Sequence, residues 1–241
     1  AIENAEEAVY EENKIEEQEV VFLMDRFGYA KTVDTNIYER NKEAADAENK
    51  HVLSCMNTGK LCIFTNTGKM HQVKVLDLPY GKFRDKGLPI DNVSNYDSTQ
   101  ENIVYICDAE QMRYARLLFA TKQGMIKKVE GNEFQVAKRT IAATKLQPED
   151  ELISVQVITD NQQVVLQTKE GYFLRFPAQE VSGKKKGAIG VRGIKLRKND
   201  ELEHAYLFEE GTEAKVIFGE KEVTLNRLKV AKRDGNGTKA R

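Results

Sequence analysis

The sequence predicts an all-β chain assembled from a repeated hairpin, and three observations carry that expectation. The first is a phrase: Val164-Val165-Leu166-Gln167-Thr168-Lys169-Glu170-Gly171-Tyr172-Phe173-Leu174-Arg175-Phe176 sets an apolar run, four polar or glycine residues and a second β-rich run in succession. That is the pattern of a tight antiparallel hairpin, with Gly171 supplying the positive φ that a residue without Cβ enters at no steric cost. The second is recurrence. Leu61–Val73 and Leu117–Val129 repeat the phrase; Val21–Lys31 repeats it with Asp25 where Thr stands elsewhere, and Ala214–Leu225 has lost the final glycine. Measured between Gly28, Gly68, Gly124 and Gly171 the spacing is forty to fifty-six residues, the period of a blade or repeat array. The third is a companion phrase in step with the first. Ala143–Leu152 lines up with Gly193–Leu202, and each precedes a short strand, Ile153–Ile158 and Ala205–Phe208.

One unit therefore reads as a lead-in strand, a hairpin and a polar loop, met about five times; five to six blades are expected. A lone hairpin cannot bury its apolar face, so the repeats are expected to form one domain over residues 19–230. Antiparallel hairpins are expected at Val21–Val33, Leu61–Val75, Leu117–Val129, Val164–Phe176 and Val216–Leu228. His51–Cys55 and Glu101–Cys107 fill the lead-in slot of the second and third units.

Residues 1–18 are a Glu-rich lead whose apolar residues are too sparse for an amphipathic helix, so an acidic linker or short helix is expected. A long polar loop, Asn36–Glu48, follows the first hairpin. The second hairpin is followed by Val75–Ile90, where two glycines and two prolines frame Lys82, Phe83, Arg84 and Lys86 in a protruding loop. The third ends in a loop with Lys138 and Arg139, the fourth in Ser182–Leu196 with Lys184, Lys185, Lys186, Arg192 and Lys195. Residues 231–241, Gly-rich and basic, are expected to be a flexible tail.

Net charge is −1 overall, but residues 1–50 carry fourteen Asp/Glu against six Lys/Arg, and the remainder twenty-four against thirty-one. An acidic leader before a basic body is an asymmetry found in nucleic-acid binders; a solvated blade surface is the alternative. Equivalent basic loops on a repeat array place their charges in a ring or stripe, as neutralisation of a duplex backbone requires. Candidate phosphate contacts are Lys82, Arg84, Lys86, Lys127, Lys128, Lys138, Arg139, Lys184, Lys185, Lys186, Arg192 and Lys195.

Catalytic signals are missing. His51, His71 and His204 have no Cys or carboxylate at ligand spacing, and His71 reads as a solvated strand residue. No Walker loop, G-x-S-x-G or H-E-x-x-H occurs. Asp108-Ala109-Glu110 has no partner, and Glu149-Asp150-Glu151 recurs as Asn199-Asp200-Glu201, which points to a turn or strand-edge role. Three cysteines without C-x-x-C pairing fit a reducing cytosol. No signal peptide or run of membrane-span length is visible, and a start at Ala1 suggests a piece of a longer chain. No catalytic residue, metal or cofactor is expected, and the location is expected to be cytoplasmic.

The phrase Gly187-Ala188-Ile189-Gly190-Val191-Arg192-Gly193-Ile194-Lys195-Leu196 resembles a hallmark stretch of the C-terminal domain of bacterial type IIA topoisomerase A subunits, those of DNA gyrase and topoisomerase IV. Phe119-Ala120-Thr121-Lys122-Gln123-Gly124-Met125-Ile126-Lys127-Lys128 resembles that domain's blade hairpins, and the likeness runs from about Val20 onward. The resemblance implies a β-pinwheel, a propeller-like disc whose blades exchange a strand with their neighbours. It also implies double-stranded DNA bent around the rim, a catalytic Tyr elsewhere in the parent A subunit, and partnership with an ATPase B subunit, with no membrane. Gyrases in the family carry a Gln-Arg-Arg-Gly-Gly-Lys-Gly box in a first-blade loop. Here Tyr38–Glu48 has nothing like it, and Gly81–Gly87 and Ser182–Gly187 are degenerate candidates. A topoisomerase IV-like role is favoured over gyrase-type wrapping. A propeller used as a protein scaffold, through Tyr38, Tyr80, Phe83 and Phe134, is the competing reading.

Overall fold

The computed structural model describes residues 15–240. Most of the expected acidic lead lies outside the described residues, and its last four, Ile15–Gln18, precede the first strand without regular structure. All five expected hairpins are present. They are β1 (Glu19–Met24) with β2 (Tyr29–Asp34), then, after β3 (His51–Met56), β4 (Lys60–Thr65) with β5 (Lys69–Lys74). The short strands β6 (Tyr80–Gly81) and β7 (Leu88–Pro89) and the longer β8 (Ile103–Asp108) lead to β9 (Arg116–Thr121) with β10 (Met125–Glu130). After β11 (Thr140–Ala142) and β12 (Leu152–Val157) comes β13 (Gln162–Thr168) with β14 (Tyr172–Pro177). The chain continues with β15 (Val191–Arg192), β16 (Leu202–Glu209), the fifth hairpin β17 (Lys215–Phe218) with β18 (Lys221–Thr224), and β19 (Thr238–Lys239).

The described residues fall into two compact units, 15–61 with 73–94, and 62–72 with 95–240. The first holds one sheet, β3-β1-β2, with β6 parallel and β7 antiparallel along β2. The second holds the sheets β8-β4-β5-β11, β12-β9-β10-β15 and β16-β13-β14-β19, and the separate pair β17-β18. One rule orders every full sheet. The strand beside the first hairpin strand is the segment that follows the hairpin, and the strand beside the second comes from after the next hairpin. This changes the expected unit: β3, β8, β12 and β16, read as lead-ins to their own hairpins, close the preceding ones. Pattern reveals that such a strand exists; only non-local pairing decides which hairpin takes it.

The turns explain the repeated Thr-x-x-Gly. The amides of Gly68, Gly124 and Gly171 donate to the carbonyls of Thr65, Thr121 and Thr168 at 2.9–3.0 Å, with each glycine at φ of 81–94°. In two copies the threonine hydroxyl also accepts from the residue after the glycine, Met125 N to Thr121 Oγ1 and Tyr172 N to Thr168 Oγ1, both at 3.1 Å. Asp25 does the same work in the first copy, its carboxylate accepting from Phe27 N at 2.9 Å and Tyr29 N at 3.0 Å. In the last hairpin the glycine has moved, and Gly219 at φ 60° turns the chain between Phe218 and Lys221. Asp150 and Asp200 serve turns, as their recurrence suggested: Oδ1 of each accepts from the turn of the neighbouring hairpin, at Gln123 N and Glu170 N.

The first strand of each of the first four hairpins is buried at nearly every position, so both of its faces fill cores. In the second unit Phe64, Phe119 and Phe134 pack edge-on and stacked with centroids 5.3–5.9 Å apart, geometry that suits the ring quadrupoles. His71 is buried rather than solvated. Its Nε2 lies 3.0 Å from Glu101 Oε2 and its Nδ1 2.8 Å from Thr140 Oγ1. Burial drives the Glu101 carboxyl upward, but hydrogen bonds from Thr65, His71 and the Asp97 amide outweigh it and hold the group below its ordinary value. The polar loop after β2 is two short helices, Thr35–Arg40 and Lys42–Glu48, the first capped by the Asp34 carboxylate on Asn36 N. Residues 231–240, expected as a flexible tail, contain β19, which pairs with Tyr172 and Phe173. Among the described residues no helix is long and apolar enough to cross a membrane.

Gly190 (φ 103°) lies so close to β10 that a Cβ there would sit 2.6 Å from the Ile126 carbonyl oxygen, whereas Gly187 has nothing within 4 Å. Gly190→Ala is expected to lower stability by about 1–3 kcal/mol, and Gly187→Ala to change it by about 0.5 kcal/mol or less. Urea unfolding of both variants checks the pair.

Candidate nucleic-acid interface

After each hairpin from the second to the fifth the chain runs out and returns to lie against the second strand of the hairpin before it. Three of the returning segments have one design. In 80–89, 183–192 and 230–239 the first residue makes a parallel bridge to that strand, at Thr32 with Tyr80, Lys128 with Gly183 and Arg175 with Val230. A glycine with positive φ follows, Gly87, Gly190 or Gly237, packed on the carbonyl of Ala30, Ile126 or Phe173. Two residues then pair antiparallel: Leu88–Pro89 with Tyr29–Ala30, Val191–Arg192 with Met125–Ile126, and Thr238–Lys239 with Tyr172–Phe173. The segment before β11 is shorter. Gln72 N donates to Arg139 O at 2.7 Å, and Thr140 already opposes His71.

Each segment is held by a donor from the strand it meets. Lys127 is fully buried, and its ammonium donates to the carbonyls of Lys185 (3.1 Å), Lys186 (3.0 Å) and Ala188 (2.6 Å). Lys31, at the equivalent position in β2, donates to the carbonyls of Phe83 and Asp85. One residue further along, Gln72 donates to Val136 O (2.8 Å) and Lys138 O (2.6 Å). Arg175 donates to Asn226 O (2.8 Å) and Leu228 O (3.0 Å). Burial pushes the Lys127 ammonium down to about 8, with Glu133 pulling it back; burial lowers Lys31 too, opposed by Asp85, Glu48 and Asp25.

The twelve candidate contacts thus separate. Lys82, Arg84, Lys86, Lys138, Arg139, Lys184, Lys185 and Lys195 are exposed. Lys86 lies over the Tyr29 ring at 4.3 Å. Lys186 is half-buried, and its amide donates to Glu133 Oε1 at 3.1 Å. Lys128 is half-buried, with Nζ 3.5 Å from Ala178 O and 4.0 Å from Asp160 Oδ1. Two expectations change. Lys127 cannot reach solvent, because its chain lies inside the sheet and its ammonium is spent on three carbonyls. Arg192 has an exposed side chain but is taken in a fork by Asp234, with Nη2 to Oδ2 at 3.0 Å, and this bond holds the Asp234 carboxyl below its usual range. A cavity of about 570 Å³ beside the lysine loop is lined by Arg116, Lys128, Glu133, Lys184 and Lys185, among others. The scaffold reading loses most of its surface: Phe134 is in the core, Phe83 packs on the first unit's core, and Tyr38 Oη donates to Asp46 at 2.6 Å. Tyr80 alone of the four is more than half exposed.

A family model described as DNA gyrase C-terminal domain, beta-propeller, matches residues 115–159 and 162–209. The chain is 30% identical over 244 residues to the DNA gyrase A subunit of Lawsonia intracellularis, covering 94% of this chain and 30% of that protein. It is 37% identical over 155 residues to the DNA gyrase A subunit of Chlamydia pneumoniae, covering 63% of this chain and 18% of that protein. The chain therefore spans less than a third of the length of these relatives. Among solved structures, a C-terminal domain of DNA topoisomerase IV matches with a TM-score of 0.83 at 24% identity, over 94% of this chain and 73% of that one. The E. coli ParC C-terminal domain matches with 0.75 at 16% identity, over 93% and 94%. These likenesses make the all-β architecture that of a β-pinwheel.

Replacing Lys127 with Met removes the donor from three carbonyls and is expected to cost about 1–3 kcal/mol, read by urea unfolding, with faster amide exchange over residues 184–188. Between about 8 and the ordinary 10.5 the unfolded chain binds the Lys127 proton and the folded chain does not. Stability attributable to this group therefore rises with pH across that window. An NMR titration with a Lys127 midpoint near 8 checks it; a midpoint at the ordinary lysine value would contradict the burial.

Proposed function

Because the chain belongs to the family of C-terminal domains of DNA gyrase and topoisomerase IV A subunits, we propose that it is a non-catalytic domain that binds and bends double-stranded DNA. In this reading it presents DNA segments to the rest of its own A subunit, which carries the catalytic Tyr and works with an ATPase B subunit in strand passage, in the cytoplasm. The observation that carries the proposal is the 183–192 segment. Its main chain is anchored from beneath by Lys127, while Lys184 and Lys185 stand exposed and make no ion pair among the described residues. An ordered loop with outward ammonium groups loses little conformational freedom on meeting a phosphate. It reads no base, so the contact is independent of sequence.

The finer proposal is a topoisomerase IV-like role, decatenation and relaxation with little negative supercoiling. What supports it is the segment after β2, two helices with Glu39, Glu43, Asp46 and Glu48 exposed where a gyrase box would need a basic, glycine-rich loop. Those carboxylates repel phosphates within about 8–10 Å. The alternative is gyrase-type wrapping supported by a degenerate box, and the two relatives named above are gyrase A subunits.

Lys184→Ala with Lys185→Ala is expected to weaken all duplexes about equally and to flatten the slope of log K against log salt by about 1.8, at roughly 0.9 per phosphate contact. Salt-dependent gel shifts measure it; an unchanged slope, or loss confined to one sequence, contradicts the phosphate model. For the finer reading, the parent A subunit, reconstituted with ATP and its B subunit, is expected to decatenate and relax DNA but to leave relaxed plasmid almost without negative supercoils. Robust negative supercoiling would assign the domain to gyrase-type wrapping.

A further inference from the structure

The segment 230–239 is a third copy of the basic loop. Residue by residue, Val230 takes the place of Gly183 and Tyr80 at the parallel bridge, and Gly237 that of Gly190 and Gly87 at the positive-φ corner. Lys239 takes the place of Arg192 at the end of the antiparallel pair. In this register Lys232 corresponds to Lys185 and Lys82, and Arg233 to Lys186 and Phe83. Over residues 229–239 the chain carries Lys229, Lys232, Arg233 and Lys239 against the single acid Asp234.

How the copy is held differs. In β14 the position of Lys127 is filled by Leu174, which has nothing to donate, so the outer part of the segment is tied to its neighbour instead. Asp234 is forked by Arg192, and Asp234 N donates to Gly193 O and Lys195 N to Gly235 O, each at 2.8 Å. Arg233 donates through its guanidinium to Arg192 O (2.7 Å) and through its amide to Glu180 Oε1 (3.0 Å). The one acid is thereby neutralised and Arg233 is occupied, while Lys229, Lys232 and Lys239 are exposed and form no ion pair among the described residues.

We propose that residues 229–239 are a further duplex-phosphate site, in which Lys229, Lys232 and Lys239 contact the backbone and the Arg192–Asp234 fork positions them. The proposal rests on the DNA-binding reading above and adds a site to it. Arg192 then acts on DNA indirectly, as a positioning residue, and the 183–192 and 229–239 segments form one basic strip joined by that fork.

The test is a salt series on duplex DNA with the wild-type chain, Lys184→Ala/Lys185→Ala, Lys232→Ala/Lys239→Ala, and Asp234→Asn. Far-UV circular dichroism, thermal melting and gel filtration verify that each variant is folded. Expected is a slope flattened by about 1–2 for Lys232→Ala/Lys239→Ala, at roughly 0.9 per contact. Asp234→Asn is expected to weaken binding with a slope change smaller than that of Lys232→Ala/Lys239→Ala, because it removes no phosphate ligand and only the fork's own sensitivity to salt. If the first double variant flattens the slope and the second leaves slope and affinity unchanged, the further site is overturned while the DNA reading stands. If the wild-type chain itself binds without salt dependence, the DNA reading fails and this site with it.

Discussion

The structure depends on buried and half-buried donors that run from the second strand of a hairpin into the carbonyls of a segment arriving from elsewhere in the chain. Such a segment has little regular pairing of its own, only a bridge and two paired residues at its ends. Its carbonyls must be satisfied if they are shielded from water. A lysine supplies three donors on a long stem, and Lys127 uses them on three carbonyls. The cost is desolvation of an ammonium, visible in its lowered proton affinity. The return is a loop whose backbone is set before any ligand arrives.

The same need is met in two ways. Three residues past the turn glycine, Lys31 and Lys127 reach the outer part of the segment. Four residues past it, Gln72 and Arg175 reach the part nearer the preceding hairpin. Neighbouring residues on a strand point to opposite faces, so a one-residue change of donor position selects another stretch of loop. Where the inner donor alone is present, the outer loop must shorten or find another anchor. The segment before β11 shortens, and the segment 230–239 leans on Arg192.

The hairpins were legible in the sequence because their cause is local: an apolar run and a Thr-x-x-Gly turn whose hydroxyl and glycine have roles within five residues. Strand exchange was not, since β3 and its counterparts would read identically whichever hairpin they closed. Lys127 was misread as a surface charge because a lysine in a basic phrase looks solvated. The signal was present all the same: it follows Ile126 in a buried strand and aligns with Lys31, which has the same task. The tail was misread for a related reason. Glycine and lysine content suggests disorder, but Gly237 sits where Gly190 and Gly87 sit, at a corner that only the pairing of β14 with β19 makes visible.

The two anchoring modes should respond differently to their surroundings. The Lys127 bonds lie inside the sheet, shielded from ions, so salt has little purchase on them. The Arg192–Asp234 fork is partly exposed, at 55% and 29% side-chain exposure, and screening weakens such pairs. Salt that competes for phosphates would therefore also loosen the 230–239 segment while leaving 183–188 in place. On the proposed DNA-binding reading, two basic segments of like sequence then differ in kind, one a fixed platform and the other a contact whose order and whose affinity decline together as ionic strength rises.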